Sequence, residues 1–102
     1  MKLRVEVTQE DLDEGTRLHA CDCPVGRALR RALLAAGVAL DGSAMPVTVA
    51  PDGTRDIPDV VVYGADGMLR AELPAGAVQL VDDFDQARAL APLTFDLEVE
   101  PW

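Results

Sequence analysis

Aromatic residues and cysteines are scarce in this sequence. Of its 102 residues only 4% are aromatic, and the two cysteines are Cys21 and Cys23. A buried core must therefore consist mainly of Val, Leu and Ala side chains. A disulfide between residues two positions apart would close a small, strained ring, so these cysteines do not provide the disulfide framework of a small secreted domain.

Long apolar runs are also missing. The first residues, MKLRVEVTQEDLDEG, lack the uninterrupted apolar segment of a signal peptide, and no window has the length of a membrane span. We therefore expect a cytoplasmic protein that has no membrane partner.

Basic residues are half as frequent as acidic ones. The chain has 9 Lys and Arg against 18 Asp and Glu, which gives a formal net charge of −9. Proteins that bind nucleic acids neutralise phosphates with clustered Lys and Arg, so we expect no direct nucleic-acid binding. With 49% hydrophobic residues the chain can still form a core, and its length predicts a single domain over residues 1–102.

Residues that commonly act in catalysis are rare as well. The single histidine, His19, has no evident triad partner, and the single serine, Ser43, lies among turn-forming residues. No glycine-rich phosphate-binding motif occurs. We therefore expect a protein that is not an enzyme and that needs no cofactor.

Alternation and helical periodicity together predict the secondary structure. Apolar residues alternate with charged ones over residues 2–8, which is typical of a half-buried strand. Thr8 and Asp11 have the spacing of a helix N-cap and its acidic first turn, and Gly15 would end this short helix. The rest of the chain predicts a helix over residues 24–36 that ends at Gly37, a strand around residues 47–49, a hairpin with its turn at Asp66 and Gly67, a helix over residues 75–90 and a strand over residues 93–100.

These elements predict an α+β domain of two layers. The order of its main elements is β-α-β-β-β-α-β, and alternating strands require a cover over one face of their sheet. We expect a small, mostly antiparallel sheet of four to five strands covered by two helices. Lys2 and Arg4 face outward on the first strand and the last strand has an acidic outward face, so we predict that these two strands are neighbours.

The segment HACDC places three candidate metal or thiol residues, His19, Cys21 and Cys23, just before the first long helix. A closed zinc site needs four ligands, so the fourth would have to be a carboxylate such as Asp22 or come from a second subunit. A helix N-terminus can lower the pKa of a thiol at Cys23 and make it reactive. The structural alternative, which we expect, is a small capping residue followed by Pro24 as the first helical residue, with no metal bound.

Arginines form a candidate binding surface on the same helix. Arg27, Arg30 and Arg31 recur at three- and four-residue spacing, which places them on one helical face, and Arg17 precedes them. Gly26 would let a ligand approach the backbone near the helix N-terminus. The alternative is a solvated helix face, because charges on the polar side of an amphipathic helix are common. Arginine suits interfaces, so we predict that this face, with the HACDC loop, binds a carboxylate-rich surface of a partner.

An acidic cluster is the second candidate surface. Asp82, Asp83 and Asp85 lie on the second long helix, and with Glu98 and Glu100 they would imitate nucleic-acid phosphates towards a basic protein. The alternative is again a solvated helix face. The residues do not have the spacing of a calcium-binding loop.

Three short motifs stand out in the chain. Their residues are Cys23, Pro24 and Val25 at a helix start, Leu73, Pro74, Phe84 and Asp85 in the second long helix, and Pro92 and Phe95 at the closing strand. Together they resemble a family of small uncharacterised proteins encoded by actinobacterial phages and related bacterial genomes. That family has a Cys-Pro-Ile/Val helix start, a Leu-Pro helix that ends in a Phe-Asp pair, and a Pro-Phe-x-Phe strand whose first phenylalanine is here replaced by Leu93.

The resemblance implies a phage or mobile-element protein, and small acidic proteins of this kind often act by binding a host or defence protein. We therefore expect a non-enzymatic interaction protein that modulates such a partner. Two other functions remain open. One is a thiol or metal protein that works through the HACDC segment, and the other is a subunit of a phage assembly, which would form a homo-oligomer.

Overall fold

The computed structural model describes residues 1–15, 23–42, 46–50 and 58–102. Within these residues it has three helices and six strands. In chain order they are β1 (Lys2–Val7), α1 (Gln9–Glu14), α2 (Pro24–Ala35), β2 (Val47–Val49), β3 (Val60–Gly64), β4 (Gly67–Ala71), α3 (Ala75–Asp85), β5 (Leu93–Glu98) and β6 (Glu100–Pro101). Two antiparallel sheets pack against the helices, which confirms the predicted α+β class.

The first and the last long strands are paired, as their charges predict. β1 and β5 run antiparallel, with Lys2 opposite Glu98 and Arg4 opposite Asp96. Every second residue of β1 is buried, and its charged residues are exposed. The alternation therefore identifies the core-facing side of this strand correctly.

The remaining strands form a second sheet in the order β2-β3-β4-β6. Only Val99 separates β5 from β6, and its backbone N–H donates to the Met1 carbonyl at 2.7 Å. The last stretch of chain therefore pairs first with β1 and then with β4, so it borders both sheets. The prediction of one sheet is corrected here, because the alternation continues through Val99 and does not show where the strand changes its partner.

Capping residues set the bounds of α2. The helix begins after the N-cap Cys23, with Pro24 as its first residue. At its end, Gly37 has a left-handed φ of +83°, and the N–H of Val38 donates to the Leu33 carbonyl at 3.0 Å. This is the C-terminal arrangement that the glycine predicts.

Helix α3 is shorter than predicted. It ends at Asp85 and not at residue 90, because Ala87 takes a left-handed φ of +57°. The N–H of Arg88 then donates to the Asp83 carbonyl at 2.8 Å, which closes the last turn. Ala87 and Ala91, which helical spacing from Phe84 would place on the buried side of a longer helix, are exposed. Alanine rarely occupies this conformation, so the sequence contains no signal for the end of the helix.

The β3–β4 hairpin turns one residue earlier than predicted. Gly64 pairs with Gly67, so the two turn residues are Ala65 and Asp66. A Cβ on Gly64 would lie 2.7 Å from the Gly67 carbonyl oxygen, which explains the glycine at this close approach. Gly67 itself has a φ of +141°, which also favours glycine.

One cluster of buried apolar side chains includes residues of both sheets and of all three helices. It consists mainly of Val, Leu and Ala, as the composition predicts. In the part of the chain that the structure describes, no helix is long and apolar enough to cross a membrane. The HACD residues before Cys23, Ser43 and the Pro-Asp-Gly sequence at residues 51–53, which is typical of a turn, lie outside the described residues.

Candidate interaction surface

Arg31, predicted to bind a partner, is held by a buried carboxylate of the chain itself. Its Nη1 and Nη2 atoms donate to Oδ1 and Oδ2 of Asp11 at 3.0 and 2.7 Å. Nη2 also donates to the Glu6 carbonyl at 2.9 Å. Asp11 is 1% exposed. A bidentate ion pair with a buried carboxylate gives Arg31 a role in joining α1 and β1 to α2.

Local sequence places Asp11 against α2. The Thr8 hydroxyl accepts from the N–H of Asp11 at 3.2 Å, while Asp11 Oδ2 accepts from the N–H of Thr8 at 2.9 Å, so the two residues form a capping box. Gly15 ends α1 at a point where a Cβ would lie 2.9 Å from Pro24 Cδ. Glycine therefore lets the end of α1 approach the start of α2.

The ion pair keeps Asp11 charged although it is buried. Burial by itself raises the pKa of this carboxyl. The hydrogen bonds from the Arg31 guanidinium and the Thr8 backbone outweigh that effect, so the pKa of Asp11 lies below its ordinary value. The hydrogen bonds to Asp11 also raise the pKa of Arg31.

The other predicted arginines differ in their surroundings. Arg27 is half-buried, and its Nε lies 3.8 Å from Asp11 Oδ1. Arg30 is half-buried and has no ion pair with another described residue. Arg17 lies outside the described residues. The prediction that the arginine face binds a partner therefore depends chiefly on Arg30, because Arg27 and Arg31 both lie beside Asp11 within the fold.

Cys23 is a buried capping residue. Its Sγ accepts from the N–H of Gly26 at 3.3 Å, so the amide predicted to approach a ligand already has an acceptor. Burial raises the pKa of the Cys23 thiol, which is opposite to the effect expected from a helix N-terminus. His19 and Cys21 lie outside the described residues. Among the residues that are described, no three His, Cys, Asp or Glu side chains group in a way that could hold a metal ion.

The acidic cluster on α3 is paired with a nearby arginine. Arg88 Nη1 donates to Asp82 Oδ2 at 2.7 Å and to Asp83 Oδ1 at 3.0 Å. Hydrogen bonds from Arg88 and Gln79 lower the pKa of Asp83. Asp85 is half-buried and also makes an interaction. The local ion pairs reduce the negative charge that this helix presents to a partner.

A row of large apolar side chains is exposed on the second sheet. Tyr63 of β3 lies directly opposite Met68 of β4, and the N–H of Trp102 donates to the Met68 carbonyl at 3.1 Å. Their exposed fractions are 39%, 40% and 55%. We call Tyr63, Met68 and Trp102 the exposed row.

The position of the exposed row follows from the strand register. Val60, Val62, Leu69 and Ala71 alternate with the row along β3 and β4, and they belong to the core or pack against it. Tyr63 and Met68 therefore lie on the face of the sheet directed away from the core, which we call the outer face. An open groove of about 350 Å³ adjoins it, lined by Met68, Trp102, Asp66 and Ala39 among others.

The exposed row is not among the sites predicted from the sequence. A signal was available, because alternation along the second strand of the hairpin places Leu69 inward and therefore Met68 outward. The placement of Trp102 beside Met68 depends on the pairing of β6 with β4, for which the sequence has no pattern.

Comparison with protein-family models, with curated proteins and with solved structures finds no match to this chain.

Proposed function

We propose that this chain is a non-enzymatic interaction protein that binds another protein through the outer face of its second sheet. The exposed row is the observation that supports this proposal. The chain has only four aromatic residues, and the two phenylalanines are buried or half-buried, while its tyrosine and its tryptophan share one exposed row. Tyr, Trp and Met are enriched in the centres of protein interfaces.

The partner that we propose is a host or defence protein. This choice rests on the resemblance of the three short motifs to phage and mobile-element proteins. The exposed row adds a physical reason, since a contiguous apolar patch on a small domain is typical of a surface that another protein covers. Scattered apolar residues would need no such explanation.

Purification with the tagged chain as bait, from a lysate of an actinobacterial host, tests this function. The bait is compared with a variant that carries Tyr63→Ser and Trp102→Ser. Leu34→Ser is the matched control, because Leu34 is 57% exposed on α2, away from the row. We expect one host protein to bind the wild type and the control equally, and to bind the row variant at least about tenfold more weakly, as for loss of interface hot spots.

Circular dichroism and urea unfolding of each variant separate lost binding from lost folding. Equal capture by the folded row variant and the wild type would contradict the outer face as the binding surface. Loss of capture with Arg30→Glu alone would instead support the arginine face of α2.

A further inference from the structure

Carboxylates lie next to the exposed row and farther along the neighbouring strands. Asp66 lines the groove beside Met68 and Trp102. Glu72, Glu98 and Glu100 line a second hollow of about 200 Å³ together with Arg70. We call Asp66, Glu72, Glu98 and Glu100 the acidic rim.

The acidic rim is only partly neutralised. Arg70 Nε donates to Glu100 Oε1 at 3.1 Å, and the amino group of Met1 lies 3.2 Å from Glu98 Oε1. Asp66 and Glu72 have no ion pair with another described residue. The whole chain has a net charge of −9, which favours the long-range approach of a basic partner.

We propose that the occupant of the outer face is a basic protein segment that places an apolar side chain against the exposed row. This inference rests on the proposed function and names the chemistry of its partner. An apolar row with carboxylates beside it and along its strands is complementary to an apolar anchor flanked by Lys or Arg. The same rim repels an anionic surface such as a nucleic acid or an acidic membrane.

Trp102 is the single tryptophan, so its fluorescence reports on the exposed row in a direct titration. The probe is a short synthetic peptide of alternating Lys and Leu without tryptophan, and the control peptides alternate Glu with Leu and Lys with Ser. We expect a saturable blue shift with the Lys-Leu peptide only. Equal binding of the Glu-Leu peptide would contradict the inference that the partner is basic. It would still be consistent with the outer face as an apolar binding surface.

Charge variants test whether the acidic rim itself contributes to peptide binding. Asp66→Asn with Glu72→Gln removes the two rim charges that have no ion pair with a described residue. Glu10→Gln with Glu14→Gln removes two exposed charges on α1 and gives the chain the same net charge as the rim variant. We expect the rim variant to bind the Lys-Leu peptide about threefold to tenfold more weakly, the range for two exposed ion pairs, and the α1 variant to match the wild type.

Three further outcomes separate this inference from the proposed function. If the rim and α1 variants weaken peptide binding equally, only the net charge of the chain affects the affinity, and the inference is overturned. Unchanged peptide binding by Tyr63→Ser with Met68→Ser, which retains the Trp102 reporter, would contradict the outer face itself. A blue shift that depends on protein concentration without peptide would identify a second copy of the chain as the occupant, and would also overturn the inference.

Discussion

Ala87 is a residue whose backbone conformation disfavours its own side chain. Its φ of +57° lies in the left-handed region, which costs an L-residue about 1 to 2 kcal/mol. Glycine relieves this cost and adds a smaller loss of entropy on folding. We expect Ala87→Gly to raise the free energy of unfolding by about 0.5 to 1 kcal/mol, measured by urea denaturation.

Gly37 is the matched control for Ala87. It has a φ of +83°, and a Cβ there would meet nothing within 4 Å, so a substitution changes the backbone preference alone. Gly37→Ala should lower the free energy of unfolding by about 1 kcal/mol. If both substitutions shift the free energy of unfolding in the same direction, the left-handed residues do not explain where the two helices end.

Arg31 should matter more to stability than its exposed position suggests. Its loss leaves the carboxylate of Asp11 buried without its bidentate partner. We expect Arg31→Ala to lower the free energy of unfolding by about 2 to 4 kcal/mol, because an uncompensated buried charge is costly. Arg30→Ala, on the same helix and without such a partner, should change it by less than about 0.5 kcal/mol. Equal effects of the two substitutions in urea denaturation would argue against this role.

The contribution of Asp11 to the free energy of unfolding should also depend on pH. The pKa of Asp11 is lowered in the folded chain, so its stabilising effect is complete above the unfolded pKa of about 3.9 and is lost as pH falls through the folded pKa. We expect the difference in unfolding free energy between wild type and Asp11→Asn to be constant from about pH 5 to pH 8 and to shrink below about pH 4. A difference that grows on acidification would have the wrong sign for a lowered pKa.

The pairing of β1 with β5 depends partly on cross-strand charges. Arg4→Glu would place a carboxylate opposite Asp96, where the wild type has opposite charges. We expect the free energy of unfolding to fall by about 0.2 to 1 kcal/mol at low salt, and by less at high salt because both charges are exposed. Combining Arg4→Glu with Asp96→Arg should recover part of the lost stability, because the new arginine faces the new glutamate but also lies near Lys2, which pairs with Asp96 in the wild type. No recovery in the double variant would show that the charge pair does not contribute to strand pairing.

The molecule as a whole should unfold as one unit, although its strands form two sheets. Both sheets contribute to one buried cluster, and Val99, which links β5 to β6, is 2% exposed. We expect the slowest-exchanging amides of β1 and β3 to have the same opening free energy in native-state hydrogen exchange. Exchange of the β1 and β5 amides at a clearly lower free energy would show that the two-stranded sheet opens independently.

Much of the architecture was predictable because its causes are local or repeat along the chain. Alternation identified the core side of β1 and of the hairpin, and Gly37 marked the end of α2. The charges of Lys2 and Arg4 identified the neighbour of β1, because antiparallel strands place opposing side chains in contact. The Thr8 cap of α1 was also visible from spacing alone.

Other features depended on contacts that no local pattern encodes. Asp11 and Arg31 are 20 residues apart, and their spacing alone did not indicate that α1 packs beside α2. The exposed row joins residues of β3 and β4 to Trp102 only because β6 pairs with β4. Propensity and periodicity act over a few residues, whereas a surface that crosses three strands is defined by their register. Composition and periodicity therefore predicted a small acidic α+β protein, while the tertiary packing tied Arg31 to Asp11 and exposed Tyr63 and Trp102 together.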